Sequence, residues 1–196
     1  MRGMRHRLMI SRMYEKIDYI SSTGNVNNSS NPYIDTKCVL SSDFTFQISY
    51  MVTSTNSAFT FGGRTAYNSN DEFASSTEYL NVGKSPRNYT RVKLNNKAIL
   101  EATPAYYSVN GIKTIIDSKF SKGEYPIWLF CTNTGGTGLY QCGDSLRIYY
   151  LKIYNNGILV RDFIPVRRKS DGKIGMLDKV ENKFYTSPNG NEFTGG

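Results

Sequence analysis

The sequence predicts an all-β fold, an antiparallel two-sheet β-sandwich, and three observations carry that prediction. Aromatic side chains make up 13% of the 196 residues, with 15 Tyr and 10 Phe, a composition suited to pleated, half-buried surfaces. Short alternations of apolar and polar residues recur along the chain between Asn-Gly, Asp-Gly and Gly-rich turn signals. Windows rich in Ala, Leu and Glu, which build long helices, are missing. Strands at this spacing with no helices between them point to a sandwich and not to a parallel α/β sheet. A chain of this length is most simply one domain with volume enough for a continuous core.

Residues 1–13 have neither a helical stripe nor a strand alternation and are expected to be an extended basic arm, leaving 14–196 as the sandwich domain. Residues 14–20 read as a short strand, and 21–32, a run of Ser, Thr, Gly and Asn, as a loop. Strands follow at 33–40 and at Phe44–Val52, the latter with Phe44, Phe46, Ile48 and Tyr50 on one face. Phe59, Thr60 and Phe61 lead into Gly62-Gly63, where the strand bends or meets another backbone closely. Residues 66–76 read as an exposed polar loop carrying Tyr67 and Phe73, with Asp71-Glu72 as a solvated pair. Tyr79–Val82, 89–94, Tyr106–Val109 and 114–116 are expected as short strands, with turns at Asn95-Asn96 and Asn110-Gly111. The apolar run 127–131 suits a strand buried on both faces.

The last quarter has the longest period-two pattern. From Leu146 to Tyr154, Leu146, Ile148, Tyr150, Lys152 and Tyr154 fall on one face and Arg147, Tyr149, Leu151 and Ile153 on the other. Asn155-Asn156-Gly157 predicts a tight hairpin turn, because Asn-Gly readily adopts positive φ. The partner strand is expected over 158–164, ended by Pro165, which has no N–H for a ladder. Asp171-Gly172 predicts a second turn before 174–177, and 181–183 a third. Ile148, Tyr150, Leu151, Ile153, Leu159, Phe163, Trp128 and Phe130 are expected to contribute to the core.

The run IYYLKIYNNGILVRDFIPV, followed by Gly175-Met176-Leu177-Asp178-Lys179-Val180 and Lys183-Phe184-Tyr185, resembles the C-terminal half of concanavalin A-like (LamG-like) jelly-roll domains in structural proteins of gut-bacterial tailed phages. Tyr19-Ile20-Ser21-Ser22-Thr23-Gly24 and Tyr33-Ile34-Asp35-Thr36 are similar to the halves of that family's opening motif, and Phe61-Gly62-Gly63-Arg64 to its central one. The spacer 25–32 is longer than the family pattern, and residues 1–18 lie outside the resemblance. The resemblance implies a jelly roll and a non-enzymatic structural role in a virion, as a capsid-associated, decoration or fibre-type protein. Its expected location is the virion, after synthesis in the bacterial host cytoplasm.

The net charge of +8 favours acidic partners, and half of it sits at one end: Arg2, Arg5, Arg7, Arg12 and Lys16 against Glu15 leave +4 in the first sixteen residues. Arg2, Arg5, Arg7, Leu8, Ile10 and Arg12 are the candidate assembly contacts. Arginine forks pair with carboxylates, and Leu8 and Ile10 fill apolar pockets on neighbouring virion proteins or on further copies of this chain. Encapsidated nucleic acid is the rival partner for the arginines, although no helix-turn-helix, zinc-finger or RNP pattern accompanies them. Leu8-Met9-Ile10 is too short for a signal-peptide core, and no segment is long enough to span a bilayer, so no membrane insertion is expected.

His6, the only histidine, lies in the arm, which leaves no Ser-His-Asp or Cys-His arrangement inside the fold. Cys38, Cys131 and Cys142 form no Cys-x-x-Cys pair, so no zinc site is expected, and the sequence leaves open whether Cys131 and Cys142 pair across the loop between them. Jelly-roll glucanases place acids at alternate positions of one strand, and no two acidic residues here are spaced by two. A glycoside hydrolase is accordingly the third reading, behind a lectin-like receptor or adhesion module. For that module the candidate glycan contacts are Tyr67, Asn68, Asn70 and Phe73 in one loop, with Tyr106 and Tyr107 near it, because sugars stack on exposed aromatics and are oriented by amides. The glycan would be a host or mucosal one. No cofactor is expected. Some LamG-like domains hold Ca²⁺, so the resemblance allows a Ca²⁺ here, although no Asp-x-Asp or EF-hand-like spacing supports it.

Overall fold

The structure, a computed structural model, describes residues 11–22, 31–54, 59–84, 87–90, 92–136, 138–140 and 146–196. Among these the chain is all-β, and a single helical turn at 11–13 precedes the first strand. In chain order the strands are β1 (Tyr14–Lys16), β2 (Ile20–Ser22), β3 (Ile34–Asp35), β4 (Phe44–Val52), β5 (Phe59–Arg64), β6 (Phe73–Ser76), β7 (Tyr79–Val82), β8 (Asn88–Tyr89), β9 (Lys97–Ala102) and β10 (Tyr106–Val109). They continue as β11 (Ile112–Ile115), β12 (Trp128–Leu129), β13 (Thr132–Thr134), β14 (Gly138–Tyr140), β15 (Leu146–Asn155), β16 (Ile158–Arg168), β17 (Ile174–Asp178), β18 (Lys183–Tyr185) and β19 (Phe193–Gly195).

The larger sheet runs β11-β10-β9-β4-β15-β16-β17-β18, with β1 on β16, β2 on β15 and β19 on β2. The smaller runs β14-β13-β5-β6-β7-β8, with β12 on β5 and β3 on β12. The pairings are antiparallel except for β13 on β5, which is parallel. One core lies between the sheets. From the larger sheet Phe44, Phe46, Ile48 and Tyr50 of β4 enter it without any exposed surface, as their alternation predicts. From the smaller sheet Phe61 stacks on Phe46 at 5.1 Å, and Phe73 meets Phe46 at 4.8 Å and Phe44 at 5.2 Å. Each such side chain contributes about 1.5–3 kcal/mol by leaving water.

The hairpin turns follow from local chemistry. Asn156 and Gly157 have φ of 51° and 74°, and Asn110 and Gly111 have 52° and 83°, the two successive positive values of a type I′ turn. Gly62 answers the expected close approach, since a Cβ there would lie 2.5 Å from the Phe73 carbonyl oxygen.

Several expectations are corrected. In β15 a bulge interrupts the register between Ile148 and Tyr150, opposite Tyr50 and Ser49 of β4. One extra residue reverses the alternation beyond it. Leu146 and Ile148 before the bulge, and Leu151 and Ile153 after it, are therefore all buried, whereas Tyr150 is only half-buried. Leu159 is half-buried too, near the hairpin end of β16. Pro165 does not end β16, which continues to Arg168. Its carbonyl accepts from Ile17 N–H at 3.3 Å, just past the end of β1, so its missing donor falls where that ladder already stops. Residues 127–131 are buried, but only Trp128–Leu129 is strand, and Phe130, at φ 70°, turns the chain towards β13. Trp128 packs on Tyr33 at 4.6 Å in a satellite cluster with Cys131, outside the main core. The strand expected over 33–40 shrinks to Ile34–Asp35, that over 89–94 to Asn88–Tyr89, and β9 was not anticipated.

Candidate functional site

A cleft of about 780 Å³ opens where the outer edges of the two sheets face each other, within the size range of ligand sites. Its first wall is the segment Arg87, Asn88, Tyr89 and Thr90, including β8. This segment is pinned to β7 and the turn before it: Thr90 N–H and Oγ1 both donate to the Glu78 carbonyl, at 3.0 and 3.2 Å, and Asn88 Nδ2 donates to the Leu80 carbonyl at 3.3 Å. The second wall comes from β9, β10 and β11, with Ala98, Tyr107, Val109, Asn110, Ile112 and Thr114. Asn110 Oδ1 accepts from Ile99 N–H at 2.8 Å, which fixes the β10–β11 turn against β9. The two walls are tied directly, because Tyr107 Oη donates to the Tyr89 carbonyl at 3.0 Å.

The lining carries the cations Arg87, Lys93 and Lys97, the amides Asn88, Asn96 and Asn110, and the rings of Tyr89 and Tyr107, with no carboxylate among them. Tyr89 stands 61% exposed at the rim. The Arg87 guanidinium lies 4.7 Å from the Tyr79 ring centre and 5.9 Å from that of Tyr67, which orients it at the rim. Lys97 also lines the cleft, with its ammonium 4.0 Å from the Tyr149 ring centre. Such a set orients a polar ligand and offers it an aromatic face; it supplies no paired acid and base.

The sequence-predicted sugar contacts do not converge. Tyr107 lines the cleft, and Tyr67, 57% exposed, reaches its rim through Arg87. Tyr106 must face the opposite side of β10 from Tyr107; there its hydroxyl donates to Glu101 Oε1 at 2.7 Å, and Lys113 Nζ lies over its ring at 3.7 Å. Asn68 is exposed in a positive-φ turn. Phe73 is corrected outright: it begins β6, is wholly buried against Phe44 and Phe46, and has no face to offer a sugar. Arg87, Asn88, Tyr89 and Lys93 were missed, because 89–94 reads only as a short strand and nothing local marks the wall that faces it. Of the arm residues, Arg12 is exposed in the helical turn, and Arg2, Arg5, Arg7, Leu8 and Ile10 lie outside the described residues.

Beside the rim, the expected solvated pair is instead buried, Asp71 at 6% and Glu72 at 1% exposure. Glu72 Oε1 accepts from Arg64 Nη1 at 2.6 Å and from Asn81 Nδ2 at 3.1 Å, while Oε2 accepts from Asn68 N–H at 2.6 Å. Arg64 Nε donates to Thr134 Oγ1 at 3.2 Å. Asp71 Oδ2 accepts from both N–H and Oγ1 of Thr65, at 2.7 and 2.9 Å. The two carboxylates thus clamp the loop carrying Tyr67 onto the smaller sheet.

Burial pushes the Cys38 thiol up to about 11, which keeps it protonated and unreactive at neutral pH; Cys131 is buried as well, and Cys142 lies outside the described residues. Among the described residues no group of three His, Cys, Asp or Glu side chains is placed to hold a metal, and no helix is long and apolar enough to cross a membrane. No family model and no curated protein matches the chain.

Proposed function

We propose that this chain is a non-enzymatic structural protein of a tailed-phage virion, built on a concanavalin A-like jelly roll and joined to neighbouring subunits through its N-terminal arm. One observation carries the reading. The C-terminal residues bearing the resemblance, 148–166, 175–180 and 183–185, fall in consecutive neighbours of one sheet, β15-β16-β17-β18, and the turns between them, so this part of the likeness corresponds to a single packed unit. The base of the arm is anchored on the same unit: β1 pairs with the far half of β16, and Lys169 donates from N–H and Nζ to the carbonyls of Met13 and Ser11, at 2.9 and 2.7 Å. The arginines beyond that anchor suit carboxylates on a neighbouring subunit. Deleting residues 1–13 tests this: the protein should fold with nearly the wild-type Tm yet fail to enter particles. Normal incorporation of the truncated chain would overturn the arm's role.

The edge cleft favours a second reading, a lectin-like module carried on the same particle. Its tyrosines and amides match the stacking and orienting groups that sugars use, and among the described residues its lining carries no pair of carboxylates. On a glycan array the wild-type protein should bind a subset of sugars, and Tyr89→Ala or Arg87→Ala should abolish that binding without loss of fold. An array with no signal for the wild type removes this reading.

A further inference from the structure

We infer that β11 is a docking edge for a second copy of this chain, the two β11 strands pairing antiparallel about a two-fold axis through Thr114. β11 ends the larger sheet, and among the described residues no strand pairs with its outer side. All four of its residues are exposed, and Ile112 and Ile115, at 77% and 73%, are the most exposed large apolar side chains described. Sheet edges are commonly protected by proline, by a bulge or by a projecting lysine. β11 contains no proline, pairs with β10 in unbroken register, and has its one lysine folded back over the Tyr106 ring at 3.7 Å.

Hydrogen-bond parity shows which groups of β11 are open to a partner. Asn110 N–H donates to the Ile99 carbonyl and the Tyr106 carbonyl accepts from Thr103 N–H, so the even residues of β10 face β9. Val109 and Tyr107 therefore face β11, where they stand opposite Ile112 and Thr114. Ile116 N–H donates to the Ala105 carbonyl, in step with these two. The N–H and C=O groups of Lys113 and Ile115 consequently point outward.

A two-fold axis normal to the sheet keeps each face continuous, so each residue must meet one of its own parity. Centring on Lys113 would set Lys113 against Lys113, a direct like-charge pair that destabilises a ladder. Centring on Thr114 instead sets Thr114 against Thr114, with Lys113 opposite Ile115 of the second copy and exchanging both backbone hydrogen bonds with it. The lysine stem then covers an exposed isoleucine. On the other face Ile112 meets Ile116 of the second copy, which is already packed at the core margin. Hydrogen bonding admits both registers, while charge and apolar cover favour the one centred on Thr114, and this self-complementarity is why the occupant is a second copy. The contact is short, so the association is weak and is best trapped covalently.

The experiment uses the full chain, with sedimentation over a concentration series and oxidative cross-linking. Thr114→Cys should form a disulfide-linked dimer much faster than Lys113→Cys, because only residue 114 meets itself. Ile115→Pro removes an outward donor and no bond to β10, so it should keep the wild-type Tm while weakening association by about tenfold or more. Thr114→Lys, which sets like charges on the axis, should act in the same direction if the proline variant folds poorly. A wild-type chain that stays monomeric and gives no faster cross-linking at 114 than at 113 overturns the inference. So does a dimer that survives both Ile115→Pro and Thr114→Lys, or an edge that captures a strand of another protein but not its own copy.

Discussion

Glu72→Ala is the sharpest test of the buried network beside the cleft rim. Glu72 is 1% exposed, and its carboxylate satisfies the Arg64 guanidinium, the Asn81 amide and the Asn68 N–H. Truncation leaves Arg64, whose side chain is only 4% exposed, as a buried cation without its carboxylate partner. Removing one member of a buried pair costs about 3–5 kcal/mol. For a chain of this size that corresponds to a Tm lowered by about 6–20 °C, measurable by circular dichroism or calorimetry. The double variant Arg64→Met/Glu72→Leu should recover most of this loss, since apolar replacement of both partners removes the uncompensated charge. It should not restore the loop. Asn68 N–H still lacks its acceptor, so its amide should exchange with solvent much faster than in the wild type. A Glu72→Ala variant melting within about 2 °C of wild type would refute the claim that this ion pair is a buried, load-sharing contact. So would an Asn68 amide that stays equally protected in the double variant.

Phe73→Ala should cost about 3–5 kcal/mol, the range for a large aromatic in a core, whereas Tyr67→Ala should cost less than about 1 kcal/mol; equal melting of the two variants would contradict their placement. The hydrogen bond from Arg168 holds the Asp171 carboxyl at about 2, below its ordinary 3.8. A depressed carboxylate stabilises the fold above its unfolded-state pKa and ceases to do so as pH falls through the folded value. The wild type should therefore exceed Asp171→Asn in Tm above pH 3.8, and the difference should vanish near pH 2; a difference independent of pH across that window counts against the linkage. With Cys131 and Cys142 replaced by Ser, the remaining Cys38 should react with a thiol reagent at neutral pH only after denaturant is added, and prompt labelling of the native protein would place it at the surface. Deleting Tyr149 removes the bulge residue of β15 and should turn either Leu146 and Ile148 or Leu151 and Ile153 out of the core, giving a chain without a cooperative melt; a normal melt would mean that the bulge can migrate.

Much of the larger sheet was legible because its determinants are local. The alternation of Phe44, Phe46, Ile48 and Tyr50 specifies one buried face for β4, and Asn156-Gly157 and Asn110-Gly111 specify tight reversals through the backbone angles they tolerate. Gly62 was identifiable as a point of close backbone approach for the same kind of reason, its lack of a side chain. The phase of β15 was not legible past Ile148, since the strand carries apolar residues on both faces and only its register on β4 reveals the extra residue. Asp71 and Glu72 looked solvated because carboxylates in a polar stretch usually are. Their burial depends on Arg64, Asn81 and Thr65, which the pairing of β5, β6 and β7 brings around them. The cleft lay furthest from the sequence. It exists because the edge of the smaller sheet meets the far edge of the larger one, where Tyr107 bonds to the Tyr89 carbonyl. Faces and turns are decided within a few residues of the chain, so the sequence alone determined them. A cleft and a buried charge pair are decided by which distant strands become neighbours, and only the tertiary structure decides that.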